Sequence, residues 1–155
     1  MAKLIYGDRI GKNADLLVGS SAQITDPAGE KILLTKREDN GRWCLPGGRL
    51  DSGESVSETC SREVLEETGL VVEVGRLIAV YTSPDMLLSY DEEHQYQVIS
   101  FHFAGTVIGG ELGLSDETTD VGFFSPEEIK GMDVMEHHIQ RIEDGLLGKI
   151  ETIIR

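Results

Sequence analysis

Three glutamates stand at a spacing that would let them hold one metal ion together. Glu63, Glu66 and Glu67 follow the order i, i+3, i+4, so a helix would put all three on one face. Their charges would repel one another there, and the negative end of the helix dipole disfavours carboxylates in the last turn. A bound cation would remove both costs, and ligands that are all oxygen favour Mg²⁺ or Mn²⁺ over zinc. The alternative is a solvated acidic face whose charge Arg62 offsets.

A glycine-rich loop and a capped helix are predicted to position these carboxylates. The loop at residues 45–53 contains one proline and three glycines, which allow backbone conformations closed to other residues. Ser52 or Ser55 can cap the helix that follows, and Ser55 with Glu58 fits a capping box. Gly69 fits a left-handed cap at the other end. The face predicted to be buried consists of Val56, Cys60 and Val64.

The loop and the helix together fit a longer pattern, G-x5-E-x7-R-E-U-x-E-E-x-G-U, in which U is an aliphatic residue. Its fixed positions are matched by Gly48, Glu54, Arg62, Glu63, Val64, Glu66, Glu67, Gly69 and Leu70. The stretch resembles the Nudix box, with every fixed position present. The resemblance implies a pyrophosphohydrolase that uses a divalent metal, Mg²⁺ or Mn²⁺, to cleave a nucleoside diphosphate linked to another group.

The resemblance also implies roles for the residues of the box. The expected metal ligands are the carboxylates of Glu63, Glu66 and Glu67, joined by the carbonyl of Gly48 or Gly47. The pair Glu54 and Arg62 is expected to be structural and to orient the helix and the loop.

A further acidic residue is expected in the loop before a late strand, as a metal ligand or as the general base. Glu117 is the first candidate there, and Asp120 is the second. Glu66, Glu67 and Glu117 could each take a proton from the attacking water, and the sequence does not choose among them.

Four residues outside the metal set are predicted to bind substrate. Arg37 and Arg49 flank or lie in the glycine-rich loop, and the planar fork of arginine suits phosphate. Pro84 stands about fifteen residues beyond the box, where some Nudix proteins that hydrolyse ADP-ribose carry a proline. His94 is predicted to line a pocket beside the loop at residues 82–93. Trp43 could stack on a base, although packing is the more ordinary role for it.

The composition excludes several classes of function. The chain has 155 residues, which suits a single domain at 1–155, and a formal net charge of −14, which disfavours nucleic acid and anionic membranes as partners. There is no signal-peptide pattern and no apolar run long enough for a membrane span, so a cytoplasmic protein is expected. Cys44 and Cys60 are predicted to be buried thiols. Many Nudix proteins are homodimers, and a homodimer is the assembly to test.

The rest of the chain predicts an α+β domain. Strands are expected at residues 15–25, 30–36, 71–81, 95–107 and 121–124. The first two are expected to form a hairpin, residues 2–13 a short helix or an arm, and residues 82–93 a loop. Helices are expected from Ser125 and over residues 135–147. The second helix is expected to bury an apolar stripe of Met135, Ile139, Ile142 and Leu146, with His137 and His138 facing solvent. The resemblance implies the Nudix fold, a mixed β-sheet between helices in an α/β/α sandwich.

Three functions compete on this evidence. The favoured one is hydrolysis of a diphosphate linkage in a nucleoside diphosphate derivative, with ADP-ribose or a similar compound as substrate. The runner-up among enzymes is a nucleoside triphosphate pyrophosphatase that cleans the nucleotide pool. The rival from another class is a Nudix domain that senses a nucleotide without cleaving it, a reading that loss of a box carboxylate would favour.

Overall fold

The computed structural model describes residues 2–155, in which ten strands, three α-helices and one 3₁₀-helix (Ile10–Asn13) follow one another along the chain. The strands are β1 (Lys3–Tyr6), β2 (Asp15–Ile24), β3 (Ile32–Arg37), β4 (Trp43–Cys44), β5 (Gly47–Arg49), β6 (Leu70–Tyr81), β7 (Met86–Ser89), β8 (Gln95–Gly110), β9 (Thr118–Phe124) and β10 (Ile153–Ile154). The α-helices are α1 (Val56–Thr68), α2 (Pro126–Lys130) and α3 (Glu136–Leu146).

The larger of two sheets is mixed and has seven strands. Its order is β1-β7-β8-β2-β5, with β6 also paired to β8 and β10 paired to β6. The pairs β2–β8 and β6–β10 are parallel, and the other pairs are antiparallel. A smaller antiparallel sheet has the order β4-β3-β9.

The larger sheet lies between α1 and α3. Successive residues of a strand point to opposite faces, and β2 shows this directly. The hydroxyl of Ser20 donates a hydrogen bond of 2.6 Å to the carbonyl of Val56 in α1, whereas Ser21 Oγ accepts one of 3.2 Å from Arg141 in α3. The predicted α/β/α sandwich of the α+β class is therefore confirmed.

The helix ends and the buried face of α1 also agree with the prediction. Ser55 is the N-cap of α1 and forms a capping box with Glu58, and Gly69 closes the helix with φ of 75°. Cys60 and Val64 are fully buried, and Val56 packs against their cluster. Cys44 and Cys60 are both buried free thiols, as predicted.

The predicted hairpin between the first two strands is wrong. β2 pairs with β8 and β5 in the larger sheet, whereas β3 pairs with β4 and β9 in the smaller one. Only an isolated bridge between Thr25 and Ile32 joins the two strands. Leu33 of β3 packs in one apolar cluster with Ala22 and Ile24 of β2, whereas Ile32 and Leu34 pack in another. Partners that lie far away in sequence decide the pairing of both strands.

Five strands were not predicted, namely β1, β4, β5, β7 and β10. The predicted loop at residues 82–93 holds β7, which pairs with β1 and β8. The first segment holds β1 as well as the short helix that was expected. All five strands are two to four residues long, so alternation of side chains has too few positions to identify them.

The prediction that His137 and His138 face solvent is wrong. His138 is buried and its Nδ1 accepts a hydrogen bond of 3.1 Å from the backbone N–H of Leu45. The apolar residues Ile139 and Leu146 are exposed instead. Met135 and Ile142 of the predicted stripe are buried, but His138, Arg141 and Asp144 make up the rest of the inner face. The apolar stripe therefore predicts only part of the orientation of α3.

Within residues 2–155, none of the helices is long and apolar enough to cross a membrane. That residues 1–155 form a single domain stays a prediction.

Candidate active site

The glycine-rich loop brings its backbone directly against the carboxylates of α1. β5 pairs with β2 in the larger sheet and leads through the rest of the loop into α1. A β-carbon on Gly48 would overlap the carboxyl group of Glu63, so any larger residue there would force this carboxylate to move. The N–H of Gly47 donates a hydrogen bond of 3.2 Å to Glu67 Oε2. The two glycines thus hold the loop at the acidic face of the helix.

Two of the three predicted carboxylates are buried at an energetic cost. Burial, with the charges of Glu63 and Glu117 nearby, raises the pKa of Glu67 to about 8, although the N–H of Gly47 opposes the shift. Burial also raises the pKa of Glu63. A buried carboxylate destabilises a fold unless a partner compensates its charge, and a cation between these side chains would do so.

Arg62 ties the loop to the helix. Its Nε and Nη2 donate to the two carboxyl oxygens of Glu54 at 2.6 and 3.0 Å, and Nη1 donates to Glu63 and Glu66 at 2.9 and 3.0 Å. Nη2 also donates to the carbonyl of Arg49 at 3.0 Å. The Arg62 guanidinium lowers the pKa of Glu54 to about 2. These contacts are those of a residue that orients the loop and the acidic face.

The side chains around Gly48 have the donor chemistry of a site for a hard divalent cation. The carboxylate oxygens of Glu63 and Glu67 lie against the backbone of the loop, and oxygen ligands of this kind suit Mg²⁺. In the part of the chain that the structure describes, no three acidic, histidine or cysteine side chains are grouped closely enough to hold a metal ion together. Arg62 contacts Glu63 and Glu66 at present, so a cation would share these carboxylates with it.

Glu117 lies close to this acidic face, whereas Asp120 does not. Glu117 and Glu67 line one cavity of about 250 Å³, called here the acidic cavity. Its other charged lining residues are Arg37, Glu38 and Asp39. Asp120 is exposed and accepts a hydrogen bond from the N–H of Val121 at 2.9 Å. The structure therefore brings the first loop candidate to the box and leaves the second outside it.

A second cavity, of about 140 Å³, lies on the α3 side of the sheet and is called here the basic cavity. Its charged and histidine lining residues are Arg37, Arg49, His137, His138 and Arg141. No carboxylate from residues 2–155 lines it, although the chain carries a net charge of −14. Gly47 and Gly48 also border this cavity, so it adjoins the loop of the box.

Two of the predicted substrate residues reach these cavities. Arg37 lines both of them, and its Nε and Nη2 donate to Asp39 at 2.8 and 2.9 Å. Arg49 lines the basic cavity, with its Cζ 5.8 Å from the ring centroid of Tyr96.

The other candidates for substrate contact lie elsewhere. The carbonyl of Pro84 accepts a hydrogen bond from the N–H of Gly11 at 2.8 Å, and the exposed ring of His94 lies 2.8 Å from Asp91. Neither residue lines the acidic or the basic cavity. Trp43 packs edge to face on Phe124, with 4.9 Å between the ring centroids.

The residue that sequence reasoning missed is Arg141. It is only 7% exposed, and burial lowers the pKa of its guanidinium to about 10. No motif contains it. Its spacing from His137 and His138, at i+4 and i+3, places the three on one helix face, but this signal was hidden by the expectation that an apolar face would be the buried one.

Comparisons with known proteins show what the chain is similar to. The sequence profile of the NUDIX domain family matches residues 16–142. An ADP-ribose pyrophosphatase of Methanocaldococcus jannaschii is 44% identical over 97 residues, which cover 61% of this chain and 54% of that protein. A putative 8-oxo-dGTP diphosphatase of Bacillus subtilis is 41% identical over 101 residues, which cover 64% of this chain and 61% of that protein. The chain thus spans less than two thirds of the length of either relative.

Solved structures share the fold over most of the chain. A NUDIX hydrolase from Nitrosomonas europaea superposes with a TM-score of 0.71 and 28% identity, covering 88% of this chain and 92% of that one.

Proposed function

The chain belongs to the Nudix family, and we propose that it is a metal-dependent hydrolase that cleaves a diphosphate linkage in a nucleoside diphosphate derivative. The single observation that carries the proposal is the burial of Glu67 beside Glu63 and Glu117, at a loop that also borders an arginine-lined cavity. An acidic metal site next to a basic cavity suits a substrate that carries phosphates.

The proposed metal ligands are the carboxylates of Glu63, Glu66 and Glu67 and the carbonyl of Gly48. Mg²⁺ or Mn²⁺ held there would screen the charge of the diphosphate and make water a nucleophile at neutral pH. Arg62 and Glu54 would keep the loop against the helix while substrate enters, because their paired contacts join the two elements.

The proton of the attacking water needs a carboxylate that lies near it. Glu67 and Glu117 line the same cavity, whereas the side chain of Glu66 is 57% exposed. This favours Glu67 or Glu117 over Glu66 as the general base.

Arg37 and Arg49 are proposed to hold phosphate oxygens. Both line the basic cavity at the edge where it meets Gly47 and Gly48. Arg37 would bring one of its donors to phosphate while Asp39 fixes the position of its side chain. Pro84 and His94 lie outside both cavities and take no part in this proposal.

The favoured substrate is ADP-ribose or a similar compound, in which the diphosphate joins a nucleoside to a sugar. The similarity to the M. jannaschii ADP-ribose pyrophosphatase supports this choice. The similarity to the putative 8-oxo-dGTP diphosphatase of B. subtilis supports a second candidate, a nucleoside triphosphate pyrophosphatase. A nucleotide sensor has less support, because every carboxylate of the box is present. Three further statements stay predictions: that the protein has no nucleic-acid partner, that it lies in the cytoplasm, and that it forms a homodimer.

A substrate panel tests the proposal. ADP-ribose, other nucleoside diphosphate sugars, dinucleoside polyphosphates and deoxynucleoside triphosphates are incubated with Mg²⁺, with Mn²⁺ and with EDTA. Metal-dependent release of a nucleoside monophosphate with a sugar phosphate identifies the first candidate, and release with pyrophosphate identifies the second. No hydrolysis of any compound, with nucleotide binding retained, would overturn the enzyme and leave the sensor.

A further inference from the structure

The backbone of Glu117 is held on two sides, although its side chain is exposed. Its N–H donates a hydrogen bond of 3.2 Å to the hydroxyl of Ser115, and its carbonyl accepts one of 3.0 Å from the N–H of Glu38. Glu38 directly follows Arg37, the last residue of β3. Exposed loops are usually mobile, but these two bonds fix the base from which the Glu117 carboxylate projects.

The hydroxyl of Thr118 joins this loop to α1. Its Oγ1 lies 3.4 Å from the carbonyl oxygen of Glu67 and 3.1 Å from the hydroxyl of Ser115, and it accepts a hydrogen bond of 3.0 Å from the N–H of Ser115. A carbonyl can only accept, so the one proton of Thr118 goes to Glu67 and the hydroxyl of Ser115 donates to Thr118. The hydrogen bonds therefore run without a gap from the backbone of Glu117 to that of Glu67.

Glu67 lies in the last turn of α1, where backbone carbonyls lack partners within the helix. Residues 113–118 supply two of these partners. The N–H of Gly113 donates to the carbonyl of Thr68 at 2.8 Å, and Thr118 donates to the carbonyl of Glu67. The loop that carries Glu117 thus also closes the end of the helix that carries the box.

A bulge in β9 turns Thr118 towards α1. Asp120 pairs with Lys36 of β3, and the next pair joins Thr118 to Arg37 and skips Thr119. An extra residue of this kind reverses the faces to which the following side chains point. Thr118 is accordingly only 7% exposed, whereas its neighbour Thr119 is exposed.

The two carboxylates joined in this way line one cavity. Glu67, Glu117 and Thr118 all belong to the lining of the acidic cavity. The hydroxyl of Thr118 donates one bond and accepts two, which is its full capacity. It has no bond left for a metal ion or a substrate, so it can act only through its neighbours.

We propose that Thr118 is a positioning residue, which fixes the Glu117 carboxylate relative to Glu67 through the hydrogen bonds that it shares with Ser115. The inference rests on the proposed function, in which Glu117 is a carboxylate that can take the proton of the attacking water. A base must lie within hydrogen-bond reach of that proton, and a displacement of about 1 Å can slow a reaction about 100-fold.

Two substitutions at Thr118 separate its hydroxyl from its shape. Thr118→Val removes the hydroxyl and keeps the branched side chain, and Thr118→Ser keeps the hydroxyl. Thr119→Val, the same change at the exposed neighbour, is the matched control, and circular dichroism checks that all three variants are folded.

Thr118→Val is expected to lower kcat about 10-fold to 100-fold, with KM little changed because Arg37 and Arg49 are intact. Thr118→Ser should recover most of kcat, and Thr119→Val should equal the wild type. Wild-type kcat in Thr118→Val would overturn the proposal. An equal loss in Thr118→Ser would also overturn it, because the methyl group rather than the hydroxyl would then be what matters.

A double-mutant cycle with Glu117→Gln separates positioning from general damage to the fold. If Thr118 acts through Glu117, then adding Thr118→Val to Glu117→Gln lowers kcat no further. If the two losses multiply, or if Glu117→Gln alone keeps wild-type kcat, the proposal is wrong.

Hydrogen exchange at the amide of Glu117 tests the same bonds without any activity. Since this N–H donates to Ser115, its exchange is expected to be about 5-fold or more faster in Thr118→Val than in the wild type or Thr119→Val. Faster exchange in a protein that hydrolyses no diphosphate would sink the proposed hydrolase and leave this placement of Glu117 standing. Metal-dependent turnover, with exchange and kcat both unchanged in Thr118→Val, would do the reverse.

Discussion

Gly48 lies so close to the carboxyl group of Glu63 that a β-carbon added to Gly48 would overlap this group. We expect Gly48→Ala to displace Glu63 and to lower metal-dependent activity 10-fold to 100-fold, the range seen when a metal ligand loses its support. Gly131→Ala is the matched control, since the nearest atom to its added carbon lies 3.6 Å away and its φ is −91°. Steady-state kinetics with Mg²⁺ measures both. Full activity in Gly48→Ala would contradict the proposed position of the ligand.

Glu67 should make the metal-free protein less stable and the metal-bound protein more stable. Its pKa of about 8 exceeds the ordinary value of 4.5, so the folded state binds an extra proton between these values and stability falls as pH rises through that window. Glu67→Gln is therefore expected to raise Tm in EDTA at pH 8 by a few degrees and to lose the rise in Tm that Mg²⁺ gives the wild type.

Scanning calorimetry from pH 5 to pH 8, with and without Mg²⁺, checks this crossover. Glu143→Gln, at an exposed position of α3, is the control and should behave as the wild type does. An equal Mg²⁺ increment in Glu67→Gln and the wild type would remove Glu67 from the metal site.

Buried histidines should make the fold sensitive to mild acid. Burial lowers the pKa of His102 and His137 to about 3, and that of His138 well below its ordinary value of 6.5. Below pH 6.5 the histidines of the unfolded chain bind protons, whereas those of the folded chain do not. The contribution of these histidines to stability is therefore complete above pH 6.5 and is lost as pH falls. Each histidine adds about 1.4 kcal/mol per pH unit to this slope.

The contribution of His102 can be isolated by one substitution. His102→Gln is expected to flatten the dependence of the unfolding free energy on pH, between pH 6.5 and pH 4.5, by about one proton. Ser100→Ala, at a buried neighbour that does not titrate, should change the stability and leave the slope intact. Urea denaturation at four pH values measures both, and an unchanged slope in His102→Gln would disprove the burial effect.

The last strand is held by an ion pair that is half buried. Arg155 donates from Nε and Nη2 to Asp144 at 3.0 and 2.9 Å, and Tyr81 donates to the same carboxylate at 2.7 Å. Removing one partner leaves a buried charge, so Arg155→Met is expected to cost about 2 kcal/mol, less than a fully buried pair because Arg155 is itself half exposed.

Hydrogen exchange at the amides that join β10 to β6 shows whether the strand detaches in Arg155→Met. The matched control is Lys149→Met, which removes an exposed positive charge near the strand. Equal unfolding free energies for the wild type and Arg155→Met would contradict the role of the pair.

The part of the site that a local pattern encodes could be predicted from sequence. Ser55, Glu58 and Gly69 define α1 by contacts between residues a few positions apart, and the spacing of Glu63, Glu66 and Glu67 follows once α1 is a helix. The burial of Glu63 and Glu67 could not be predicted in the same way. It depends on β5, which lies about fifteen positions earlier and is held in place by its pairing with β2.

The basic cavity could not be predicted, because its parts come from distant segments. Ser21 and Arg141 are 120 positions apart and meet only after α3 packs on the sheet. A buried arginine also contradicts the rule that apolar residues turn inward, and the sequence gives no sign of the exception. The prediction of a hairpin between β2 and β3 was wrong for a related reason. It relied on the proximity of the two strands along the chain, whereas most of their partners lie in distant segments.

The adjacent residues Ser20 and Ser21 of β2 point to opposite faces of the sheet, and each forms a hydrogen bond with a different helix. Ser20 contacts α1, which carries the box, and Ser21 contacts α3, which carries Arg141. Substitutions on one side of this strand, or on the helix beyond it, can therefore alter the basic cavity and leave the acidic face of α1 unchanged. The two faces of the sheet could thus diverge independently of each other during evolution.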